Sequence, residues 1–400
     1  MKSRSWPNWP PMIPKPSATR ATLTTTATSR FTNEHSIWEN KKRTTDYAAC
    51  TDTKKNLCKL RSLWIDHFFI RERGRNFMRA TQVVAPGKAV IVEVPKPELQ
   101  PGHVLVRTKQ VSLCGSDYHS IHFSAPEAYP LPPGVSGHEM VGVVEAVDAP
   151  DASIRVGDIA LTLVPNNQAM AEYYLARPEF VLPLPNGKPL DHLLQAQQLG
   201  TIIYAAKHLP ASVLDKDVAV IGQGSAGLWW NFMLRRMGAR RVIAIDLQAH
   251  RLAVSEHYGA THIVHNVEVE AVDGVREILR GQLPDVVVEA AGEAETIRMA
   301  VSLVKIHGAI LYFGVPRLEA LEYPFMDLFR KKALVRTIVG ATQDPGQSCT
   351  WLAIDLIARG EADVGPMITH HFPFDQVLDA YELQQTRDEG AIKIVVDMPS

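Results

Sequence analysis

Cysteine and long apolar runs are both scarce in this chain of 400 residues. The four cysteines, Cys50, Cys58, Cys114 and Cys349, are scattered, and no secretory signal accompanies them. This usage argues against a disulfide framework and favours a reducing compartment, so we expect a cytoplasmic protein. No stretch approaches the roughly 20 apolar residues that a membrane-spanning helix needs, which excludes an integral membrane protein.

A large excess of one charge is also missing, because 42 Lys and Arg nearly balance 43 Asp and Glu. The balance is uneven along the chain. Residues 1–77 hold 15 basic and 6 acidic residues, whereas residues 78–400 hold 27 basic and 37 acidic ones. The acidic body lacks a basic stripe for phosphate backbones, and the basic part carries no motif that reads nucleic acid. We therefore expect small-molecule ligands and no nucleic-acid partner.

The first 77 residues lack sustained apolar periodicity. They contain a proline cluster at residues 6–11 and a Ser/Thr/Ala stretch at residues 17–29, which together predict disorder. Richness in Arg, Ser and Thr is typical of organellar transit peptides, but acidic residues such as Glu34 and Asp46 are not. The alternative is a start codon set too early. Met78, which begins the first clean strand pattern, favours that alternative.

The remaining chain is long enough for two domains at roughly 150 residues each. Short β-like runs broken by Pro and Gly predict a β domain from Met78 to about Ala176. Strands that alternate with helices over residues 201–366 predict a parallel sheet covered on both faces, so the fold class is α/β. The predicted strands are 81–85, 89–94, 104–111, 141–147, 159–164, 171–175, 218–221, 242–245, 286–289, 309–313 and 392–396, and the predicted helices begin at Ser225, Ala249, Ala294 and Phe374.

One strand of the second domain leads into a glycine motif. Residues 218–221 are apolar, and Gly222, Gly224 and Gly227 follow in the spacing G-x-G-x-x-G before a helix. This is the context that the dinucleotide-binding fingerprint requires. The glycines permit a tight turn, a close backbone approach to a pyrophosphate and tight helix packing. The helix N-terminus then supplies free N–H groups to the phosphates.

An acidic residue ends the next strand of this unit. Asp246 lies 19 residues after Gly227, where a carboxylate accepts hydrogen bonds from the adenosine ribose hydroxyls and repels a 2′-phosphate. NAD is therefore preferred over NADP, although Asp246 also suits the cap of the following helix. The predicted cofactor contacts are Gly222, Gly224, Ser225, Ala226, Gly227, Asp246 and Arg251.

Two short segments of the first domain carry metal-ligand chemistry. Cys114 follows one predicted strand in the segment C-G-S-D-Y-H, and His138-Glu139 precedes another in the segment G-H-E. Thiolate and imidazole are ligands that zinc favours, and a catalytic zinc typically has three protein ligands and one open position. Taken singly, each residue is more often an ordinary buried Cys or a satisfied His.

Together these motifs resemble those of the zinc-dependent medium-chain dehydrogenases, which include alcohol, sorbitol and threonine dehydrogenases. The resemblance covers residues 78–400. Further marks are Val156-Gly157-Asp158, Ala171-Glu172-Tyr173 and Ala391-Ile392-Lys393. It implies a GroES-like β domain at residues 78–200, completed by residues 367–400 at the C-terminus, and a Rossmann doubly wound domain at residues 201–366. The active site would lie in the cleft between them.

The resemblance also implies roles for individual residues. Cys114 and His138 would bind zinc, with Glu139 beside the metal as an outer partner or alternate ligand. Ser116 would match the hydroxyl that takes the substrate proton, and His119 would pass that proton to solvent. Such a route is chemically reasonable because an alcohol transfers hydride readily only as it loses its proton.

The sequence departs from the family pattern at the third ligand. The matching position, placed by Ile203-Tyr204-Ala205, is Gln197, and a neutral amide is a poorer zinc ligand than Cys or Glu. This departure leaves four alternatives. Either Glu139 moves in to bind the zinc, or Gln197 binds through its carbonyl oxygen, or a water bridges Gln197 and the zinc, or zinc binding is weak. The four-cysteine lobe that holds a structural zinc in many relatives is missing, so we expect at most one zinc.

These features predict a zinc- and NAD-dependent enzyme that interconverts a secondary alcohol, polyol or hydroxy acid with its ketone. The alternatives are a zinc-free reductase of the same superfamily, such as a quinone reductase, and a non-catalytic nucleotide-binding protein. Relatives assemble as dimers or tetramers through the outer strand of the Rossmann sheet. The apolar residues 334–339 suit that edge, so we expect a homo-oligomer.

Overall fold

The computed structural model describes residues 76–149, 153–338 and 340–399. The predicted N-terminal extension, residues 1–77, therefore lies outside the described residues except for Asn76 and Phe77, and Phe77 begins the first strand. Among the described helices, none combines the length and the apolar character needed to cross a bilayer.

The first part of the described chain is mostly β-strands, and strands alternate with helices over residues 201–366, as the sequence pattern predicted. The strands are β1 (Phe77–Ala85), β2 (Lys88–Pro95), β3 (Val104–Ser112), β4 (Glu139–Val147), β5 (Ile159–Leu163), β6 (Tyr173–Ala176), β7 (Val181–Pro183), β8 (Asp217–Ile221), β9 (Arg241–Asp246), β10 (His262–His265), β11 (Val286–Glu289), β12 (Ala309–Tyr312), β13 (Leu334–Thr337), β14 (Ile368–Pro373) and β15 (Lys393–Asp397). The α-helices are α1 (Gly115–His122), α2 (Leu190–Leu194), α3 (Ala196–Lys207), α4 (Ser225–Arg236), α5 (Ala249–Ser255), α6 (Ala271–Ile278), α7 (Ala294–Leu303), α8 (Phe325–Lys331), α9 (Ser348–Ala358) and α10 (Val377–Thr386). Short 3₁₀ turns cover Pro126–Ala128, Pro178–Phe180, Ala341–Gln343, Pro345–Gln347, Gly365–Met367 and Phe374–Gln376.

A largely antiparallel sheet forms the first half of the described structure. Its strand order is β14-β15-β3-β4-β5-β7, with β6 also paired to β3, and the hairpin β1-β2 lies beside it through a bridge between Ala80 and Ala171. The two C-terminal strands join this sheet because β15 pairs with β3. Strands β3 and β4 are antiparallel, and their register places Ser112 opposite Glu139. This pairing positions the metal-ligand segments.

A parallel six-stranded sheet forms the second half. The order of its described strands is β10-β9-β8-β11-β12-β13, so consecutive crossovers run outward in both directions from β8. Every residue of β8 is buried, as expected for a strand covered by helices on both faces. The strand order reverses between β8 and β11, and ligands of such sheets bind at the carboxyl ends of the strands at this point. The predicted α/β class is confirmed.

The two sheets share part of one hydrophobic core. Val141 and Leu161 of the first sheet belong to the same buried cluster as Val218 of the parallel sheet and Trp229 and Trp230 of α4. Helix α3 contributes to this cluster, and it spans the boundary predicted between residues 200 and 201. The division between the two sheets therefore falls within a shared helix and core.

Candidate active site

Three potential metal ligands meet at the end of the β3–β4 pair. Cys114 follows β3 and is the N-cap of α1, and His138 and Glu139 enter β4. Because Ser112 pairs with Glu139, the two segments meet although 24 positions separate Cys114 from His138. The donor atoms of Cys114, His138 and Glu139 lie within 4.8 Å of one another.

Asp117 orients the first two of these residues. One of its carboxylate oxygens lies 3.2 Å from His138 Nδ1, and the other accepts a hydrogen bond of 2.8 Å from the backbone N–H of Cys114. A carboxylate on one ring nitrogen directs the other nitrogen of a histidine toward a metal. Burial lowers the pKa of His138, but the neighbouring Asp117 and then Cys114 outweigh burial and raise this pKa well above the ordinary value. Sequence reasoning did not single out Asp117.

Glu139 is fully buried and held by two partners. Its Oε2 lies 2.5 Å from Lys393 Nζ, which is itself fully buried, and it also accepts a hydrogen bond from the Ser112 hydroxyl. Its Oε1 has no hydrogen-bond partner within the described residues, and it lies 3.9 Å from His138 Nε2. An unpartnered buried carboxylate oxygen is costly unless a cation completes its environment. A thiolate, an imidazole and this oxygen form a donor set that fits zinc.

Two glutamines of α3 approach the same cluster. Gln197, the predicted third ligand, is buried and lines the cleft. Among the described residues its backbone carbonyl accepts a hydrogen bond from Thr201, and its side chain makes none with Cys114. Its neighbour Gln198 donates a hydrogen bond from Nε2 to Cys114 Sγ, at 3.7 Å. No sequence pattern pointed to Gln198, since its contact with Cys114 joins residues 84 positions apart.

Ser116 and His119 both face the cleft from α1. They are three residues apart, a spacing that places two side chains on one face of a helix, and both line the cleft beside Cys114. Their side chains are not hydrogen-bonded to each other among the described contacts. The structure therefore places the two predicted proton-transfer residues in the same cleft as the metal cluster.

The glycine turn has the conformation that its sequence requires. Gly222 has a φ of +89°, and a Cβ on Gly227 would collide with the carbonyl oxygen of Gly222. A Cβ on Gly224 would meet only Arg251 Nη1, at 3.8 Å, so the backbone there is open to a ligand. Helix α4 begins directly after it, at Ser225.

Asp246 and Arg251 complete the nucleotide end of the cleft. Asp246 accepts backbone hydrogen bonds from Gln223 at 2.5 Å and from Gln248 at 2.8 Å, which fix its carboxylate at the end of β9. The guanidinium of Arg251 donates a hydrogen bond of 2.7 Å to the carbonyl oxygen of Ala391, which lies just before β15 of the first sheet. Burial lowers the pKa of Arg251 below its ordinary value. Asp246 partly offsets this effect, and the charge of Arg387 adds to it.

A single cavity of about 930 Å³ contains both ends of the site. Cys114, His138 and Glu139 line one part of its wall, and Gly222, Gly224, Ser225, Ala226, Asp246 and Arg251 line another. Gly227 lies behind the turn and is not part of the lining. The metal cluster and the nucleotide turn can therefore act on ligands that share one cleft, as hydride transfer between two bound molecules requires.

Two parts of the chain match known protein families. Residues 100–186 match the alcohol dehydrogenase GroES-like domain, and residues 226–359 match the zinc-binding dehydrogenase domain. L-threonine 3-dehydrogenase of Symbiobacterium thermophilum is 28% identical over 352 residues, which is 80% of this chain and 98% of the relative. D-xylulose reductase of Saccharomyces cerevisiae is 25% identical over 349 residues, which is 78% of this chain and 96% of the relative.

A solved structure supports the fold. The alcohol dehydrogenase TADH of Thermus sp. ATN1 superposes with a TM-score of 0.71 at 24% identity, covering 80% of this chain and 100% of that one. The predicted pairing of a GroES-like domain with a Rossmann domain is thereby confirmed.

Proposed function

Since the chain belongs to the zinc-dependent medium-chain dehydrogenase family, we propose that it transfers hydride between NAD and a secondary alcohol, polyol or hydroxy acid. The observation that carries this proposal is the position of Cys114, His138 and Glu139 in the same cleft as the glycine turn. The predicted oxidoreductase class is confirmed by membership in the family.

The chain's own residues prepare the metal end of the site. Asp117 orients His138, while Lys393 and Ser112 hold one oxygen of Glu139 and leave the other facing the cluster. A bound zinc would supply Lewis acidity that lowers the pKa of the substrate hydroxyl, and a bound nicotinamide would supply the hydride acceptor. We propose Cys114, His138 and Glu139 as the protein ligands of one zinc, with Gln197 as a further donor.

Ser116 and His119 are proposed to remove the hydroxyl proton. Ser116 lies in the first turn of α1, beside Cys114, and a serine hydroxyl can accept one proton while it donates another. His119, one turn further along the helix, is placed to pass the proton outward. Its imidazole is a suitable exit group because one ring nitrogen can accept a proton while the other donates one.

The preference for NAD rests on Asp246. Its carboxylate lines the cleft, and two backbone N–H groups hold it at the end of β9. A 2′-phosphate in this place would meet a fixed negative charge, whereas ribose hydroxyls would find an acceptor. NAD is therefore the proposed cofactor.

A homo-oligomer is proposed from the edge of the parallel sheet. Strand β13 is the outer strand, and the side chains of Leu334 and Val335 are exposed there. An exposed apolar edge is a template for pairing with a second copy. Val339, the end of the predicted edge, lies outside the described residues.

The low cysteine content supports a cytoplasmic location.

Metal analysis and a substrate screen of the full-length protein test this proposal. We expect about one zinc per chain and reduction of NAD, in preference to NADP, on a panel of secondary alcohols, polyols and hydroxy acids. A chelator should stop the reaction. Cys114→Ser should lose zinc and turnover while it still binds NADH, whereas the control Cys349→Ser, at a buried position outside the cleft, should keep both.

Two results would overturn the proposal. Quinone reduction by metal-replete protein that holds no zinc would indicate the zinc-free reductase. Binding of NADH with no turnover on the whole panel would indicate a non-catalytic nucleotide-binding protein.

A further inference from the structure

Two arginines and one glutamate form a charged cluster in the wall of the cleft. Arg317 follows β12, Arg387 directly follows α10, and Glu293 precedes α7, so three separate segments contribute. Glu293 Oε1 lies 2.7 Å from Arg317 Nη2 and 3.2 Å from Arg387 Nη2. All three residues line the cavity that holds the metal ligands and the nucleotide turn.

The cluster carries more positive than negative charge. In the part of the chain that the structure describes, Glu293 is the only carboxylate within ion-pair distance of either guanidinium. Burial and then the proximity of Arg387 lower the pKa of Arg317, while Glu293 raises it, with a net lowering. Two partly buried guanidiniums that share one carboxylate repel each other, and an added anion would relieve that repulsion.

Arg317 directs the cluster toward helix α1. Its guanidinium lies over the ring of Tyr118, 4.6 Å from the ring centroid. Tyr118 lies between Ser116 and His119 in the sequence, and α1 begins directly after Cys114. The charge of Arg317 also reaches this helix, because burial and then Arg317 lower the pKa of His122. The cluster is thus tied to the helix that carries the proposed proton route.

Arg387 occupies a backbone position that glycine normally fills. It follows the last residue of α10 with a φ of +60°, in the left-handed region where a side chain is strained. Helices commonly end there with Gly, which avoids the strain. An arginine at this position is consistent with a function of its side chain in the cleft.

We propose that Arg317 and Arg387 bind an anionic group, a carboxylate or a phosphate, carried by the substrate. The inference rests on the proposed function and deepens it by naming the substrate class as an alcohol with a negatively charged substituent. The pyrophosphate of the cofactor has its own place at the start of α4, where Gly224 is open and Arg251 is adjacent. Arg317 faces α1, on the metal side of the cleft, and Arg387 acts electrostatically on both Arg317 and Arg251.

Matched ligands test the proposal on the zinc-loaded, full-length protein. D-gluconate and D-sorbitol 6-phosphate are compared with neutral D-sorbitol, and glycerol 3-phosphate with glycerol, by calorimetric binding to the NADH complex and by kcat/KM with NAD as the hydride acceptor. We expect the anionic member of at least one pair to bind roughly 10- to 100-fold tighter than its neutral partner, the range typical of hydrogen bonds to charged groups.

Variants assign the preference to the two arginines. Arg317→Gln and Arg387→Gln should remove most of the preference for the anion and leave the neutral partner within about threefold, since only charge-assisted contacts are lost. Arg317→Lys and Arg387→Lys should retain part of it. Arg330→Gln, on the exposed surface of α8, is the matched control and should change nothing.

Glu293→Gln provides a test of opposite sign. Removal of the competing carboxylate should strengthen binding of the anion, because both guanidiniums then lack their protein partner. A merely structural cluster would instead bind every ligand less well after this change. Thermal unfolding of each variant separates loss of binding from loss of folding.

Three outcomes would overturn the inference: no anionic preference in any pair, equal loss of anionic and neutral ligands in the Arg→Gln variants, or a loss of NADH affinity as large as the loss of anion affinity. The last result would assign the arginines to the cofactor. If no ligand is turned over while the arginine-dependent preference persists in binding, the proposed function fails and the anion site stands.

Discussion

The nucleotide end of the cleft is built from neighbours in the sequence, whereas the metal end is assembled from distant segments. Gly222, Gly224, Gly227, Asp246 and Arg251 all belong to one strand–helix–strand–helix unit. The metal end combines β3, β4, α1, α3 and β15, and the partners of its ligands come from all of them. Local sequence therefore specifies the first end, and packing between elements specifies the second.

The two ends also differ in how they handle charge. At the nucleotide end, backbone N–H groups and glycines receive the ligand, and Asp246 is held by backbone hydrogen bonds. At the metal end, a fully buried Lys393–Glu139 pair holds one carboxylate oxygen and leaves the other without a hydrogen-bond partner in the described part of the chain. Changes at the metal end should therefore affect folding and metal binding together, and changes at the nucleotide end should mainly affect the cofactor.

Lys393→Met should have the largest effect. It leaves Glu139 Oε2 as a buried charge with only Ser112 as its partner among the described residues, which we expect to lower the free energy of unfolding by about 3–5 kcal/mol. Urea unfolding and zinc content measure the result. Glu139→Gln combined with Lys393→Met should recover part of the stability but not the zinc. A single variant as stable as the wild type would contradict the buried pair.

Gly227→Ala and Gly224→Ala form a matched pair at the nucleotide end. A Cβ on Gly227 would collide with the backbone of Gly222, so we expect a loss of stability of about 1–3 kcal/mol, typical of overpacking, together with weaker NADH binding. A Cβ on Gly224 meets only the tip of Arg251, so this variant should bind NADH less well and unfold normally. Neither variant should lose zinc, and zinc loss in both would remove the distinction between the two ends.

Asp246→Ser should change cofactor choice with little other effect. Without the fixed carboxylate, the ratio of kcat/KM for NAD to that for NADP should fall by roughly 10- to 100-fold, corresponding to one or two charge-assisted hydrogen bonds. Steady-state kinetics with both cofactors measure this ratio. An unchanged ratio would mean that Asp246 only caps the turn before α5, as its bonds to Gln223 and Gln248 also permit.

Gln198→Leu should have the smallest effect. It removes the N–H donor to Cys114 Sγ, and loss of an outer partner of a metal ligand typically costs roughly 10-fold or more in metal affinity. Competition with a chromophoric chelator measures the zinc dissociation constant. Gln197→Leu is the matched variant, and a larger loss there would assign the direct contact with the metal to Gln197.

Much of the fold followed from periodicity. The strands near residues 104–111 and 286–289 and the helices beginning at Ser225, Ala249 and Ala294 were predicted close to their observed bounds, because their apolar spacing and glycine breaks are strong. The elements β10, α6 and α8 were not predicted, although the buried residues of α6 lie on one face of the helix. Helix α1 was also not predicted as a helix, because its polar face toward the cleft hides the usual apolar stripe.

The sequence by itself determined the glycine turn, the acid that ends β9 and the Cys and His–Glu motifs, since each depends on a few adjacent residues whose chemistry is local. The tertiary structure alone decided that Lys393 pairs with Glu139, that Gln198 contacts Cys114 and that Arg317 and Arg387 share Glu293. Lys393 and Glu139 are 254 positions apart, Gln198 and Cys114 are 84 apart, and Glu293 is 24 positions from Arg317 and 94 from Arg387. Their contacts depend on sheet register and helix packing, which no short segment encodes.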